Sequence, residues 1–357
     1  MATKLFSTLK LRSLEFRNRI FVSPMCQYSA TEGVPNDWHF VHLGSRAVGG
    51  ASLVIAEATA VTPEGRISPG DLGIWNDEQV KAFQRITSFI SAQGAIPGIQ
   101  LAHAGRKASM PVQWIDQKVL NTDQGGWQTV APSPIPFDDG YSNPHELSIM
   151  EIGEVVRKFS EAAHRALMAG FKVIEIHMAH GYLLHEFLSP LSNQRRDEFG
   201  GPLKGRMKFP IQVAHAVRTI WPSDLPVFVR ISATDWTDGG WDLQQSIEFA
   251  RQLKETGVDL VDCSSGGNIR GAKIPVASGY QIPFASAIRK ETGMPTGAVG
   301  LITEPRQAEE ILQRGEADAI VMARAFLRDP YWPLHAAQEL SADIPWPIQY
   351  VRAKLKR

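Results

Sequence analysis

Apolar positions along the chain recur as one joint: an amphipathic helix, a glycine, then a short β-branched run. The joint reads GGASLVIA at Gly50, QGAIPGIQL at Gly94, AGFKVIEI at Gly170, TGVDLVDC at Gly257, TGMPTGAV at Gly293 and RGEADAIV at Gly315. Glycine belongs just past a helix C-terminus because it takes the left-handed conformation without a Cβ penalty. An uninterrupted apolar run after it reads as a strand buried on both faces. A seventh joint uses the proline stop of WPSDLPVFVRIS at Trp221 and Pro222, and an opening strand around Ile20 to Val22 makes eight. Eight strands alternating with helices predict an α/β protein of the (β/α)8 TIM-barrel class, a single domain over residues 1–357.

The helices carry their own signals. Ser148 and Glu151 form an S-x-x-E capping box ahead of Ile152, Val155, Val156, Phe159, Ala162 and Ala163 at helical spacing. Asp242 caps another helix, whose Leu243, Ile247, Ala250 and Leu253 share a face. Residues 103–147, rich in Pro, Gly, Asp and Gln, interrupt the alternation after the third strand. They read as an active-site excursion rather than an interdomain tether.

Composition narrows the partners. Lysine plus arginine and aspartate plus glutamate both number 37, so the formal charge is zero. Nucleic-acid and membrane-surface partners, which select for a basic excess, are not expected, whereas small molecules are. The N-terminal segment is broken by Lys4, Lys10, Arg12, Glu15, Arg17 and Arg19, and no run approaches the roughly 18 apolar residues of a membrane span. The two cysteines, Cys26 and Cys263, build neither a disulfide framework nor a four-cysteine metal or cluster site within one chain, and a cytoplasmic setting fits them.

Functional residues of a barrel gather at the C-terminal ends of its strands. Here those ends read SPMCQY, EATA, QLAHAGRK, HMAHGY, Arg230, CSSGG, AVGL and MARAF. A metal hydrolase would use His177 and His180, yet no strand end offers an H-x-H pair or clustered carboxylates to complete the ligand set. A Schiff-base aldolase needs a strand-end lysine, whereas Arg230 and Arg324 stand at these positions. A flat, partly anionic cofactor fits better. Gln100 donates and accepts in one plane, Arg230 stabilises negative charge, and the Gly300 loop with Ala323 and Arg324 suits a phosphate. No two glycines stand two apart, so G-x-G-x-x-G is absent and a mononucleotide such as FMN is favoured over a Rossmann-bound dinucleotide. His39 and His42 read as structural, Cys263 as core, and Arg195, Arg196 and Asp197 as a solvated loop with local ion pairs.

These motifs give the chain a resemblance to the Old Yellow Enzyme family, in particular its bacterial thermophilic-like and xenobiotic reductase branch. The resemblance runs through FRNRIFVSPMCQYSA, EATAVTPEGRISPGDLGIW, GIQLAHAGRKA, IEIHMAHGYLLHEFLSPLSNQRRDEFGG, VGLITEPRQAEEIL, DPYWP and PIQYVR. It implies a barrel with non-covalent FMN, reduced by NADPH and reoxidised by an activated alkene in ping-pong hydride transfer: an NADPH dehydrogenase or ene-reductase. A metal-dependent hydrolase and a non-catalytic flavin or ligand carrier are the alternatives.

By the same resemblance, Ser23, Pro24, Met25, Cys26, Ala58, Gln100, Arg230, Gly300, Ala323 and Arg324 contact the flavin. Many members carry Gly-Arg where this chain has Ala323 and Arg324. His177 and His180 hold the substrate oxygen, Tyr28 touches substrate, Tyr182 delivers a proton and Cys26 tunes the cofactor. No metal is implied. In the tail, residues 342–357, Arg352 corresponds to an arginine that reaches a neighbouring subunit's active site, which implies a homodimer or homotetramer. The plain alternative is a basic, frayed end of Arg352, Lys354, Lys356 and Arg357.

Overall fold

In the computed structural model, which describes residues 3–115 and 119–354, the eight apolar runs become eight parallel strands closed into a barrel. They are β1 (Ile20–Val22), β2 (Leu53–Ala60), β3 (Ile96–Ala102), β4 (Val173–Met178), β5 (Val227–Ser232), β6 (Leu260–Ser264), β7 (Thr296–Ala298) and β8 (Ala319–Met322). Each strand pairs with its neighbours in sequence, and the ring closes where Ile320, Val321 and Met322 of β8 lie opposite Ile20, Phe21 and Val22 of β1. Closure leaves the barrel no free edge. The (β/α)8 reading is therefore correct.

Outside the strands run α1 (Asp37–Val48), α2 (Asp77–Ala92), α3 (Ile149–Met168), α4 (Leu203–Ile220), α5 (Leu243–Glu255), α6 (Ile282–Thr292), α7 (Pro305–Gln313) and α8 (Trp332–Glu339). The six joint glycines have φ between +66° and +100°, the left-handed backbone that ends a helix at low cost. The Ser148–Glu151 capping box forms, and the Asp242 carboxylate accepts from the Gln245 N–H at 2.9 Å. No helix among the described residues is long and apolar enough to cross a membrane.

Strand periodicity stacks the interior into layers. At the bottom, Val173, Phe228 and Leu260 pack with Phe21, Leu53 and Ile55 into an apolar plug. A short hairpin, Leu9–Leu11 paired with Leu14–Phe16, closes this end, with Phe16 at 5.0 Å from Phe21. The hydrophobic pattern gave no warning of that hairpin, because three-residue strands are too short to show a period. Two residues further along the same strands stand Glu175, Arg230 and Asp262, and two further again His177, Ser232 and Ser264. Apolar floor, charged middle and polar mouth follow from one alternation.

The solvated-loop reading fails for Arg195. Its side chain is 4% exposed, and its guanidinium donates to the carbonyls of Pro132 (3.0 Å) and Leu147 while pairing with Asp197. It thus pins the excursion to the loop after β4. The local ion pair with Asp197 forms as expected, but the carbonyls of Pro132 and Leu147 that help compensate the desolvated charge lie outside any sequence window around residue 195. Arg196 is exposed, as expected. Replacing Arg195 by alanine should cost about 3 kcal/mol, since it strips a buried guanidinium from several acceptors, whereas Arg196→Ala should stay within about 0.5 kcal/mol. Denaturant unfolding of the two variants checks this; equal losses would show that Arg195 is not a staple.

Candidate active site

The mouth of the barrel assembles from the ends of β1 to β8. After β1, Ser23 is buried, Met25 packs against the core, and Pro24 and Cys26 are half-buried. The next turn is held from below by Glu57 on β2, whose Oε1 accepts the Gln27 N–H at 2.9 Å. Glu57 sits at a register irregularity between Ala56 and Ala58 that re-aims its side chain. Burial, with Asp71 and Glu57 nearby, pushes the Cys26 thiol well up, so Cys26 stays a thiol and is a poor nucleophile. Tyr28 adopts φ +49°, and its hydroxyl accepts from Gln113 Nε2 at 2.9 Å. His39 fulfils the structural reading: it completes the capping box of α1 and lies 3.8 Å from Glu57. His42 and Cys263 are buried.

The charged layer is continuous around half the barrel. Gln100 Nε2 on β3 donates to Glu175 Oε1 on β4 at 2.7 Å, and Arg230 Nη1 on β5 donates to Ser23 Oγ at 2.8 Å. Arg230 Nε lies 3.5 Å from Asp262 Oδ2 on β6. Above this layer, the rings of His177 and His180 are 5.1 Å apart and nearly perpendicular, and Tyr182 lies 5.1 Å from His177. Burial first, then the charge of Arg230, holds both imidazoles neutral. Each therefore carries one N–H at neutral pH. His180 Nε2 is 2.7 Å from Ser264 Oγ, leaving Nδ1 for a ligand, and His177 Nδ1 is buried without a partner among the described groups. The Tyr182 phenol is pushed well above its ordinary range by burial, which makes it a weaker acid than an unperturbed tyrosine.

Lys107 was missed by the residue-level reading. Its Nζ donates to the carbonyls of His180 (2.8 Å) and Gly267 (2.9 Å) and lies 5.1 Å over the Tyr182 ring. This clasp joins the loops after β4 and β6 where their backbones nearly touch. A Cβ on Gly181 would stand 2.3 Å from the Gly267 carbonyl oxygen, so only glycine fits. Burial brings the Lys107 ammonium down to about 8. Its signal was present, since it ends QLAHAGRK, but it lies five residues beyond the strand.

Beside Arg230 a cavity of about 180 Å³ opens between the ends of β6, β7 and β8, lined by Gln281, Gly300, Ala323, Arg324 and Arg328. Gly300 has φ +125°, a conformation that side chains rarely adopt. Two arginines beside exposed backbone suit a phosphate dianion, and Gln100 with Arg230 suits the polar edge of a flat heterocycle. The residues present thus fit FMN. Ala58 borders Tyr182 in a narrower recess. Arg352 is the one predicted residue not brought to this mouth: it is exposed on the short 3-10 helix Ile348–Ala353, its side chain without a hydrogen bond or ion pair among the described residues. Lys354 pairs with Asp343, while Lys356 and Arg357 lie outside the described residues. Among the described residues, no group of three or more His, Cys, Asp or Glu is placed to hold a metal ion.

The chain is similar to known proteins over nearly its whole length. The sequence profile of the NADH:flavin oxidoreductase / NADH oxidase family matches residues 4–343. An NADPH dehydrogenase of Geobacillus thermodenitrificans is 48% identical over 354 residues, covering 99% of each chain. Morphinone reductase superposes with a TM-score of 0.79 at 27% identity, over 97% of this chain and 92% of its own. The old yellow enzyme homologue of Zymomonas mobilis also gives 0.79, at 26% identity, over 99% and 97%.

Glu186, in the short helix Leu183–Leu188 behind the site, gives a pH test. Its Oε1 accepts the Arg106 N–H at 2.9 Å, yet burial still pushes the carboxyl up to about 8. An unfolded glutamate loses its proton near 4.5, so between about 4.5 and 8 the folded chain holds the extra proton. Stability from this group therefore falls as pH rises through that window, by at most about 1.4 kcal/mol per unit. Denaturant midpoints at about pH 5 and about pH 8 should lie closer together in Glu186→Gln than in the wild type; an unchanged gap would mean that Glu186 is ionised in the fold.

Proposed function

Since the chain belongs to the NADH:flavin oxidoreductase / NADH oxidase family, the Old Yellow Enzyme type, and is an oxidoreductase, we propose that it is an NADPH-dependent ene-reductase. Its substrates in this reading are alkenes activated by a ketone, aldehyde, imide or nitro group. The observation that carries it is the meeting of His177, His180 and Tyr182, with His177 opposite Arg230 on the neighbouring strand and Arg230, Arg324 and Arg328 lining the cavity. A carrier would need the cradle and not the polar mouth over it.

FMN, when bound, supplies a two-electron hydride acceptor and donor. Ser23, Pro24, Met25, Cys26, Ala58, Gln100 and Arg230 would hold its ring system, and Gly300, Ala323 and Arg324 its phosphate. Ala323 in place of the family glycine still offers a backbone N–H there. His177 and His180 donate to the carbonyl or nitro oxygen of the substrate, where negative charge develops as the alkene is reduced. Donors aimed at developing charge in a buried site contribute about 2–4 kcal/mol, or roughly two to three decades of rate. Tyr182 gives a proton to the α-carbon. Its raised pKa makes the phenol hold that proton until the carbon becomes basic. Tyr28 lines the substrate side and Cys26 adjusts the reduction potential. NADPH and the alkene use the same pocket in turn, hence ping-pong kinetics.

In this reading the chain is one FMN-binding domain, residues 103–147 form the active-site excursion, and the enzyme works in the cytoplasm. Arg352 reaches a neighbouring subunit's site in a homodimer or homotetramer. Supporting this, Ile348 and Val351 beside it are 80% and 51% exposed in the single chain, an apolar surface that a second subunit would cover.

The purified protein should be yellow, bleach with anaerobic NADPH and recover its colour on adding cyclohexenone. His177→Ala with His180→Ala should keep FMN but lose enone binding. Tyr182→Phe should slow only reoxidation by the enone, and Cys26→Ala should stay active with a shifted potential. Stopped-flow measurement of each half-reaction checks all three, and a colourless protein or unchanged enone turnover in the double variant would overturn the reading. Deleting residues 349–357 should weaken substrate binding and self-association together, as read by kinetics and sedimentation. A monomeric wild type with normal kinetics would remove the role of Arg352.

A further inference from the structure

Glu175 and Asp262 are ionisable residues in strands that are otherwise fully buried. Asp262 lies opposite Arg230 in the β5–β6 register, and Glu175, two residues before His177 on β4, lies opposite Phe228, two residues before Arg230 on β5. Both have below 2% exposure, and the charge of Asp262 acts with burial to raise Glu175. Of their four oxygens only Glu175 Oε1 has a donor, from Gln100 Nε2; Glu175 Oε2 and both Asp262 oxygens have none among the described groups. Two buried carboxylates sharing one guanidinium leave an uncompensated negative charge and three acceptors without a donor among the described groups. Both defects are costly. A single proton between the two groups removes the excess charge and gives an O–H donor to a waiting acceptor.

We propose that Glu175 and Asp262 share one proton, with Glu175 as donor and Asp262 as acceptor, and that this proton sets the charge which Arg230 presents to the cofactor site. With the proton in place, the trio of Glu175, Asp262 and Arg230 is neutral. Without it, the trio carries one net negative charge immediately beneath the place where negative charge accumulates during turnover. The pair acts through Arg230, so these are positioning residues and not catalytic ones.

The groups facing the pair agree. Arg230 from β5 is the only cation against it among the described residues, Gln100 from β3 is neutral, and His177 above it on β4 is held neutral by burial. Burial and the neighbouring Asp262 push Glu175 up to about 8, and burial also raises Asp262, against the opposing charge of Arg230. The wall of the 180 Å³ cavity includes Arg230, so a change in this charge is felt there.

The role of the proton rests on the FMN reading; its existence does not, and the test separates them. Infrared spectra of the full-length protein as purified should show a hydrogen-bonded carboxylic acid band near pH 6.5. Glu57 and Glu186 are buried carboxyls too, so the band is assigned by its loss in Glu175→Gln. It should fade on titration past about pH 8. In Asp262→Asn the Glu175 component should fade at lower pH than in the wild type, because the like-charged neighbour is gone while Arg230 still favours the ionised form. That earlier fading in Asp262→Asn alone keeps the test decisive should Glu175→Gln fail to fold.

With flavin bound, Glu175→Gln should match the wild-type midpoint potential near pH 6.5 but lack its extra fall above about pH 8. The double variant Glu175→Gln with Asp262→Asn should shift the midpoint upward at both pH values. Absence of a component lost in Glu175→Gln, or an unchanged titration of the acid band in Asp262→Asn, overturns the shared proton. A band that behaves as stated with potentials that do not move overturns the charge-setting role. A protein without flavin fails the FMN reading while the infrared result still decides the proton.

Discussion

Arg230 is the residue on which the mouth of this barrel depends. From the middle of β5 its guanidinium reaches Ser23 at the end of β1, faces Asp262 on β6 and forms a wall of the cavity beside Gly300 and Arg324. A permanently charged planar group buried at 6% exposure stays there only if its surroundings neutralise it. The carboxyls of Asp262 and Glu175 do so, and Gln100 then orients Glu175. Its charge also keeps His177 and His180 neutral, which decides whether those imidazoles meet a ligand as donors of one proton or as cations.

Around that centre the structure uses three clasps of one kind, an ionisable side chain holding backbone groups from distant segments. Lys107 ties the loops after β4 and β6 through the carbonyls of His180 and Gly267. Glu57 supports the turn carrying Cys26 and Tyr28 through the Gln27 N–H. Arg195 locks the excursion to the loop after β4. In each case the hydrogen bonds to backbone offset the desolvation of that side chain, and the loop gains a fixed position that its own sequence would not give it. Positive φ values at Tyr28 and His180 show where these clasps hold non-glycine residues in a conformation that costs free energy.

The barrel itself was legible along the chain. Its strands are apolar runs with a fixed punctuation, and the glycines at helix ends do in three dimensions what their conformational freedom predicts. The same alternation that builds the apolar plug places Glu175, Arg230 and Asp262 two residues further along their strands, and His177, Ser232 and Ser264 two residues beyond those. A reader of VIEIHM and LVDCS sees a carboxylate inside a strand that is otherwise buried on both faces, and that anomaly marks a site.

What the sequence determined by itself was therefore everything carried by local periodicity and by position along a strand: eight strands, their order, the helix caps, and most of the residues at the mouth. Tertiary structure decided what depends on distance between segments far apart in the chain. Arg195 could not be known as a staple until residues 132 and 147 came beside it, nor Lys107 as a clasp until the loops at 180 and 267 met. The protonation of Glu175 and the neutrality of the two histidines were equally hidden. A side chain's pKa is set by burial and by the charges around it, and neither is a property of the neighbours it has in sequence.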